Sequence, residues 1–155
     1  MIFALTGVDR ISKILVVRHM EYLEKIPLVP GVFQLFHTRN EGAAFGILQN
    51  HRWIFMSVTA VFIVVAIVFL MTGRIKNKLF TFSMLLIISG GIGNMIDRVR
   101  LGYVVDFFDF CLIKFAIFNV ADSFISVGAV LLAVYMLFFL PPSKKTGGEE
   151  IEHNG

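Results

Sequence analysis

The chain has 155 residues, of which 57% are hydrophobic and only 16% charged, with a formal net charge of +3 and a mean hydropathy of +0.80. A water-soluble domain carries about 25% charged residues, so this balance excludes an ordinary soluble domain and points to lipid. The length is one domain's worth, and the small positive charge suits an anionic membrane surface while giving no nucleic-acid signature.

The first element is an apolar stretch over residues 1–17 that holds Asp9, Arg10 and Lys13. A secretory signal leads with its charges and ends at a small-x-small site. Here the charges sit mid-stretch and no such site follows, so a retained, short membrane helix is expected. Asp9 and Lys13 are four apart and share a helix face, which fits a self-neutralising pair that eases insertion as well as a functional pair. Residues 18–52 form a long loop punctuated by Pro27, Pro30 and Gly31. Within it VFQLF reads as a short strand, and HTRNEGAAFG carries an Asn-Glu-Gly turn. Its Phe33, Leu35 and Phe36 suit the bilayer surface.

Residues 53–73 and 79–96 contain no Asp, Glu, Lys, Arg or His, and residues 115–140 contain only Asp122. Each run approaches the ~20 residues that cross the hydrocarbon core. Four spans would put both termini on one side. The tight loop with Arg74, Lys76 and Lys78 and the tail with Lys144 and Lys145 share that side, which makes it cytoplasmic by the positive-inside bias. The opposite loops are not free of basic residues: Arg18, Lys25, Arg39 and Arg52 lie in one, and Arg98, Arg100 and Lys114 in the other. Residues 99–117 mix aromatics with charges and are expected at the interface. Residues 1–142 read as one domain, and residues 143–155 as a polar, disordered cytoplasmic tail. Cys111 is the one cysteine and reads as a structural thiol in apolar surroundings. No internal repeat supports an inverted-repeat transporter.

A carboxylate in a membrane span costs ~2.5–3.5 kcal/mol on insertion scales, yet the chain keeps several. Asn94, Asp97 and Arg98 share a face at the end of the third span, behind Gly90, Gly91 and Gly93, which allow close helix approach. Asp97 beside Arg98 suits a structural pair at the helix end. Asp106 stands in VVDFF with no basic residue within five positions, and a desolvated acid without a cation has its pKa raised. Asp109 lies nearer Lys114 and reads as an interfacial charge. Asp122 opens the last span, with Asn119 three residues before it. The segment between these spans can return Asp106 to the depth of Asp122. Two close carboxylates then share a proton, one serving as base toward water and the other as donor to a carbonyl. Two buried acids merely hydrogen-bonded to Asn94 and Asn119 are the structural alternative.

Four blocks in order carry a family resemblance: DRISK (9–13), TRNEGAAFG (38–46), GGIGNMIDRVRLGYVVDFFDF (90–110) and FNVADS (118–123). Over nearly its whole length the chain resembles lipoprotein signal peptidase, or signal peptidase II. The resemblance implies an all-α bacterial membrane protein of four transmembrane helices, with a small extracytoplasmic β-cradle and a short interfacial helix. It implies a catalytic aspartate pair, Asp106 and Asp122, with Asp9, Lys13, Asn40, Asn94, Asp97, Arg98 and Asn119 positioning the pair and the substrate. It further implies a monomer with no cofactor or metal, sited in the cell membrane with the active site near the extracytoplasmic face. The substrate would be a prolipoprotein carrying a diacylglyceryl-cysteine, cut just before that cysteine. Substrate would enter from membrane lipid, the loop around residues 40–46 would clamp it, and globomycin-type compounds would inhibit. Two departures stand out: only eight residues precede Asp9, and Ala116 and Ile117 stand where many relatives have Pro before FN.

Other readings fit less well. A presenilin-type protease wants Asp after G-x-G, where GIGN supplies Asn94. A rhomboid-like enzyme needs Ser and His in spans, but His19, His37 and His51 fall in the loop and His153 in the tail. The zinc motif H-E-x-x-H is absent, and Ser12 and Lys13, being adjacent, point apart on a helix. From a different class, the buried charges could line a proton or ion path in a small transporter.

Overall fold

The computed structural model describes residues 1–42 and 52–139. In chain order these form α1 (Ile2–His19), β1 (Lys25–Val29), β2 (Phe33–Asn40), α2 (Arg52–Met71), α3 (Lys78–Arg100), β3 (Val104–Phe110) and α4 (Val120–Phe138). Residues 43–46 of the expected clamp and the tail over 143–155 lie outside the described residues.

Helix α1 buries Thr6, Asp9, Lys13 and Val16, spaced by three and four residues and therefore on one face. Its outward residues include Phe3, Val8, Ile11, Leu15 and Val17. Polar inside and apolar outside reverses the pattern of a helix in water, as suits hydrocarbon surroundings. The exposed side of α2 is likewise apolar, through Val58, Val61, Val65 and Val68. Helices α3 and α4 are long and apolar enough to cross a membrane.

Helix α3 is central, packing on α1, α2 and α4. It starts where the Asn77 Oδ1 accepts from the Leu79 and Phe80 backbone N–H groups at 2.8 and 3.3 Å, satisfying donors that a helix start leaves free. It runs past residue 96, so Asp97 and Arg98 lie on regular helix. Ala66, Phe80, Met84, Ile88 and Tyr135 form one apolar core among α2, α3 and α4. Val16, Met20, Val105 and Phe107 form a second, which seats α1 against the sheet.

The sheet has the order β1-β2-β3, antiparallel throughout. The expected strand VFQLF is present but longer, because β2 continues through His37 to Asn40 and the turn begins only after it. Strand β1 has no alternating pattern to betray it. Its Pro27 is tolerated because β1 is an edge strand. Opposite β3, the register slips between Leu35 and Thr38, where two residues of β2 face Phe107 alone. This bulge resets which side of the sheet the following pairs occupy and leaves Thr38 opposite Asp106. The expected interfacial segment over 99–117 is the end of α3 followed by strand and turns, and among the described residues no short fifth helix occurs. Helix α4 starts at Val120, so Asp122 opens the last span as expected, and Phe118 just before it is engaged in a bridge with Phe108. Asp109 accepts from Gln34 Nε2 at 2.6 Å. Cys111 is free and exposed rather than buried.

Candidate active site

Asp106 is supplied by β3, between the buried Val105 and Phe107, and is itself 2% exposed. Both its oxygens accept amide protons: Oδ1 from Asn119 Nδ2 at 2.6 Å and Oδ2 from Asn40 Nδ2 at 3.0 Å. Asp122 is supplied by the first turn of α4. There it forms a capping box with Asn119, Asp122 Oδ2 accepting from Asn119 N at 3.1 Å and Asn119 Oδ1 accepting from Asp122 N at 3.0 Å. The box thus shapes the helix start and fixes the acid. Asn94 Nδ2 donates to Asp122 Oδ1 at 2.7 Å. Asn119 therefore touches both carboxylates and holds them side by side.

Burial, and next the neighbouring Asp122 charge, push the Asp106 carboxyl up to about 7; the amide donors pull the other way but less strongly. An acid so placed keeps its proton near neutrality, which suits a pair of carboxylates working as proton donor and acceptor.

Beneath the pair lies a buried ionic cluster. Lys13 Nζ stands 3.0 Å from Asp9 Oδ2 and 2.9 Å from Asp97 Oδ2, and donates to Asn94 Oδ1 at 2.9 Å. Asp9 Oδ1 accepts from the Ala121 backbone N–H at 3.0 Å, tying α1 to the start of α4. The self-neutralising Asp9–Lys13 pair is real but is only one edge of this larger group. The expected Asp97–Arg98 pair is not formed. Successive helix residues diverge by about 100°, so Asp97 turns inward to Lys13 and Arg10, while Arg98 reaches Gly42 O at 3.2 Å and Asn94 O at 3.4 Å.

A cleft of about 530 Å³ opens beside Asp122, with Asn40 and Arg98 among its polar lining and Phe110, Phe118 and Val127 among its apolar walls. All nine residues singled out in the sequence thus meet in one connected network around Asp106 and Asp122. Among the described residues, no group of three or more His, Cys, Asp or Glu side chains is arranged to hold a metal ion.

The family model described as signal peptidase (SPase) II matches residues 1–138. The chain belongs to the signal peptidase II family. Among its relatives, the lipoprotein signal peptidase of Clostridioides difficile (strain 630) is 45% identical over 143 residues, covering 92% of this chain and 96% of that one. That of Streptococcus pyogenes serotype M6 is 45% identical over 130 residues, covering 84% and 86%. A bacterial membrane enzyme solved at 2.3 Å superposes with a TM-score of 0.83 at 29% identity, covering 88% of this chain and 84% of the other. A second, solved at 1.9 Å, gives 0.81 at 28% identity, covering 90% and 91%. This signal peptidase II family member is accordingly a bacterial membrane protein and a protease by family. Sequence reasoning gave no role to Arg10, which pairs with Asp97; its only signal was a third charge in an apolar span.

Proposed function

We propose that this signal peptidase II family member is an aspartic endopeptidase that removes signal peptides from diacylglyceryl-modified prolipoproteins, cutting just before the lipidated cysteine. The observation that carries the reading is the pair Asp106 and Asp122, bridged by Asn119, with Asp122 lining a largely apolar cleft. A transporter has no need of two acids held together by a common hydrogen-bond bridge.

The pair begins with one shared proton. The ionised member takes a proton from water as its oxygen attacks the scissile carbonyl carbon, while the protonated member donates to the carbonyl oxygen. The tetrahedral diol then collapses, the C–N bond breaks, and a carboxyl proton passes to the leaving cysteine nitrogen. Asn40, Asn94 and Asn119 fix the carboxylate orientations. Arg98, at the cleft mouth, holds substrate carbonyls, and Asp9, Lys13 and Asp97 support the amide shell from below. The apolar walls receive the signal segment from the bilayer. All four helices cross the membrane, both termini are cytoplasmic, the pair lies near the extracytoplasmic face, and the enzyme acts as a monomer. Globomycin-type compounds occupy the same cleft.

The test is turnover of a diacylglyceryl-modified precursor by purified protein. Asp106→Asn and Asp122→Asn each lower kcat by at least ~10³-fold, within the span of a lost acid–base group. Asp109→Asn, at a carboxylate hydrogen-bonded to Gln34, keeps most activity. Normal cleavage by either of the first two variants overturns the assignment.

A further inference from the structure

The ammonium of Lys13 stands 3.0 Å from Asp9 Oδ2 and 2.9 Å from Asp97 Oδ2 in two buried ion pairs, and donates a hydrogen bond to Asn94 Oδ1 at 2.9 Å. Asn94 Oδ1 also accepts from Asn119 Nδ2 at 3.2 Å. With its oxygen held between two donors, Asn94 must turn its amide N–H toward Asp122 Oδ1, 2.7 Å away. A flipped Asn94 would set its own N–H against an ammonium. The orientation of a donor to Asp122 is therefore set by the proton that Lys13 gives to Asn94.

Lys13 is shared by two carboxylates, and its division between them depends on a fourth residue. Asp97 Oδ1 accepts from Arg10 Nη1, while Asp97 Oδ2 takes Lys13 and, more weakly, the Val105 N–H at 3.4 Å. The formal charges of Asp9, Arg10, Lys13 and Asp97 cancel. The Asp9 and Asp97 side chains are fully buried, whereas that of Arg10 is 20% exposed and closes the cluster from its rim. Without Arg10, two buried carboxylates compete for one ammonium, and a buried oxygen of Asp97 loses its donor, a costly vacancy. Lys13 would be drawn toward Asp97 and away from Asn94.

We propose that Arg10 is a positioning residue: by neutralising Asp97 it frees Lys13 to orient Asn94, and through Asn94 the Asp122 carboxylate. The inference rests on the aspartate pair being the catalytic centre. Arg10 does not line the cleft, so its role is in turnover rather than in substrate affinity. The charged groups facing the pair are Asp9, Arg10 and Lys13 from α1, Asp97 and Arg98 from α3, and the two acids themselves. Deleting Arg10 leaves this set one positive charge poorer.

The test compares Arg10→Met, Arg10→Lys and Arg10→Met combined with Asp97→Asn, using purified protein, a diacylglyceryl-modified precursor and thermal unfolding in detergent. Arg10→Met is expected to lower kcat ~10–100-fold, the cost of a misplaced reacting group, with KM within about twofold. The alkaline limb of its pH profile moves to higher pH. Arg10→Lys restores most of kcat, and the double variant, again charge-balanced, exceeds Arg10→Met. A folded Arg10→Met with wild-type kcat and pH profile overturns the proposal, as does a loss that Arg10→Lys fails to recover. Should Arg10→Met not fold, Arg10→Lys alone decides, a drop beyond about tenfold overturning it. Asp106→Asn separates the two claims. If it stays active the aspartate reading fails, and if it is dead while Arg10→Met is unaffected only the role of Arg10 fails.

Discussion

Asp106 owes its high proton affinity first to burial and second to Asp122, and the two causes can be separated. Asp122→Asn removes the charge but leaves the burial. The Asp106 carboxyl should then titrate below about 7 yet above the ordinary 3.8, read from the pH dependence of its infrared C=O band; an unchanged midpoint would mean the two acids do not interact. The same shift sets the sign of a stability effect. An unfolded Asp releases its proton near 3.8 and the folded Asp106 near 7, so between these values the native state binds the extra proton. The contribution of Asp106 is complete below about pH 4 and is lost as pH rises through 7, by ~1.4 kcal/mol per pH unit across the window. Unfolding at pH 5 and 7, compared in wild type and Asp106→Asn, should show a steeper fall in the wild type. This acid was legible in the sequence because VVDFF offers it no cation. Its amide donors were named by the resemblance, and Asn119 also by its spacing from Asp122, but that Asn40 on β2 and Asn119 at the α4 cap each reach a different Asp106 oxygen only the fold decides.

Where two helices approach closely, a glycine is demanded by backbone rather than by composition. The sequence offered Gly90, Gly91 and Gly93 alike, but the structure ranks them. A Cβ on Gly90 would run into the Ala121 carbonyl oxygen, and one on Gly93 would stand 2.5 Å from Asp9 Oδ2, whereas one on Gly91 meets only Ile63 and Thr59 at 3.4 Å or more. Gly128, which no motif announced, is as tight, its Cβ falling 2.8 Å from Ser83 O. Helix faces are readable from spacing, but which face meets a neighbour's backbone depends on packing angle. Strand β1 was hidden for a related reason, since an edge strand carrying a proline has neither alternation nor burial to mark it. Two substitutions test the ranking. Gly93→Ala must displace Asp9 from its place beside Lys13, and should cost ~1–3 kcal/mol of stability together with most activity. Gly7→Ala, whose Cβ meets nothing within 4 Å, should keep activity and gain ~0.5–1 kcal/mol from the better helix former. The two are compared by unfolding in detergent and by precursor cleavage. Equal tolerance of both would show that α1 does not press on α3 at Gly93.

The whole molecule has a direction as well as a lipid-facing surface. The C-terminal ends of α1 and α3 and the N-terminal end of α4 converge on the three-stranded sheet and the aspartate pair, while the α2–α3 turn with Arg74, Lys76 and Lys78 lies at the far end of the bundle. If the basic turn faces the cytoplasm, the sheet must face outward, and a substrate delivered across the membrane meets the acids only there. Cys111 could report this side, but its neighbours Leu112 and Ile113 are exposed and apolar and would carry the thiol into the lipid interface. A Cys111→Ala background with single cysteines at Glu21 and Lys76, both exposed, avoids that ambiguity. A membrane-impermeant maleimide added to intact cells should label Glu21→Cys at once and Lys76→Cys only after permeabilisation. The reverse order would put the pair on the cytoplasmic side, where the positive-inside bias and the proposed substrate route would both be wrong. Labelling of both in intact cells would mean that α2 and α3 do not cross as a hairpin. The helices discriminate between these outcomes because a hairpin that failed to span would leave Val58, Val61 and Val65 in water, an apolar stripe that only hydrocarbon covers without cost.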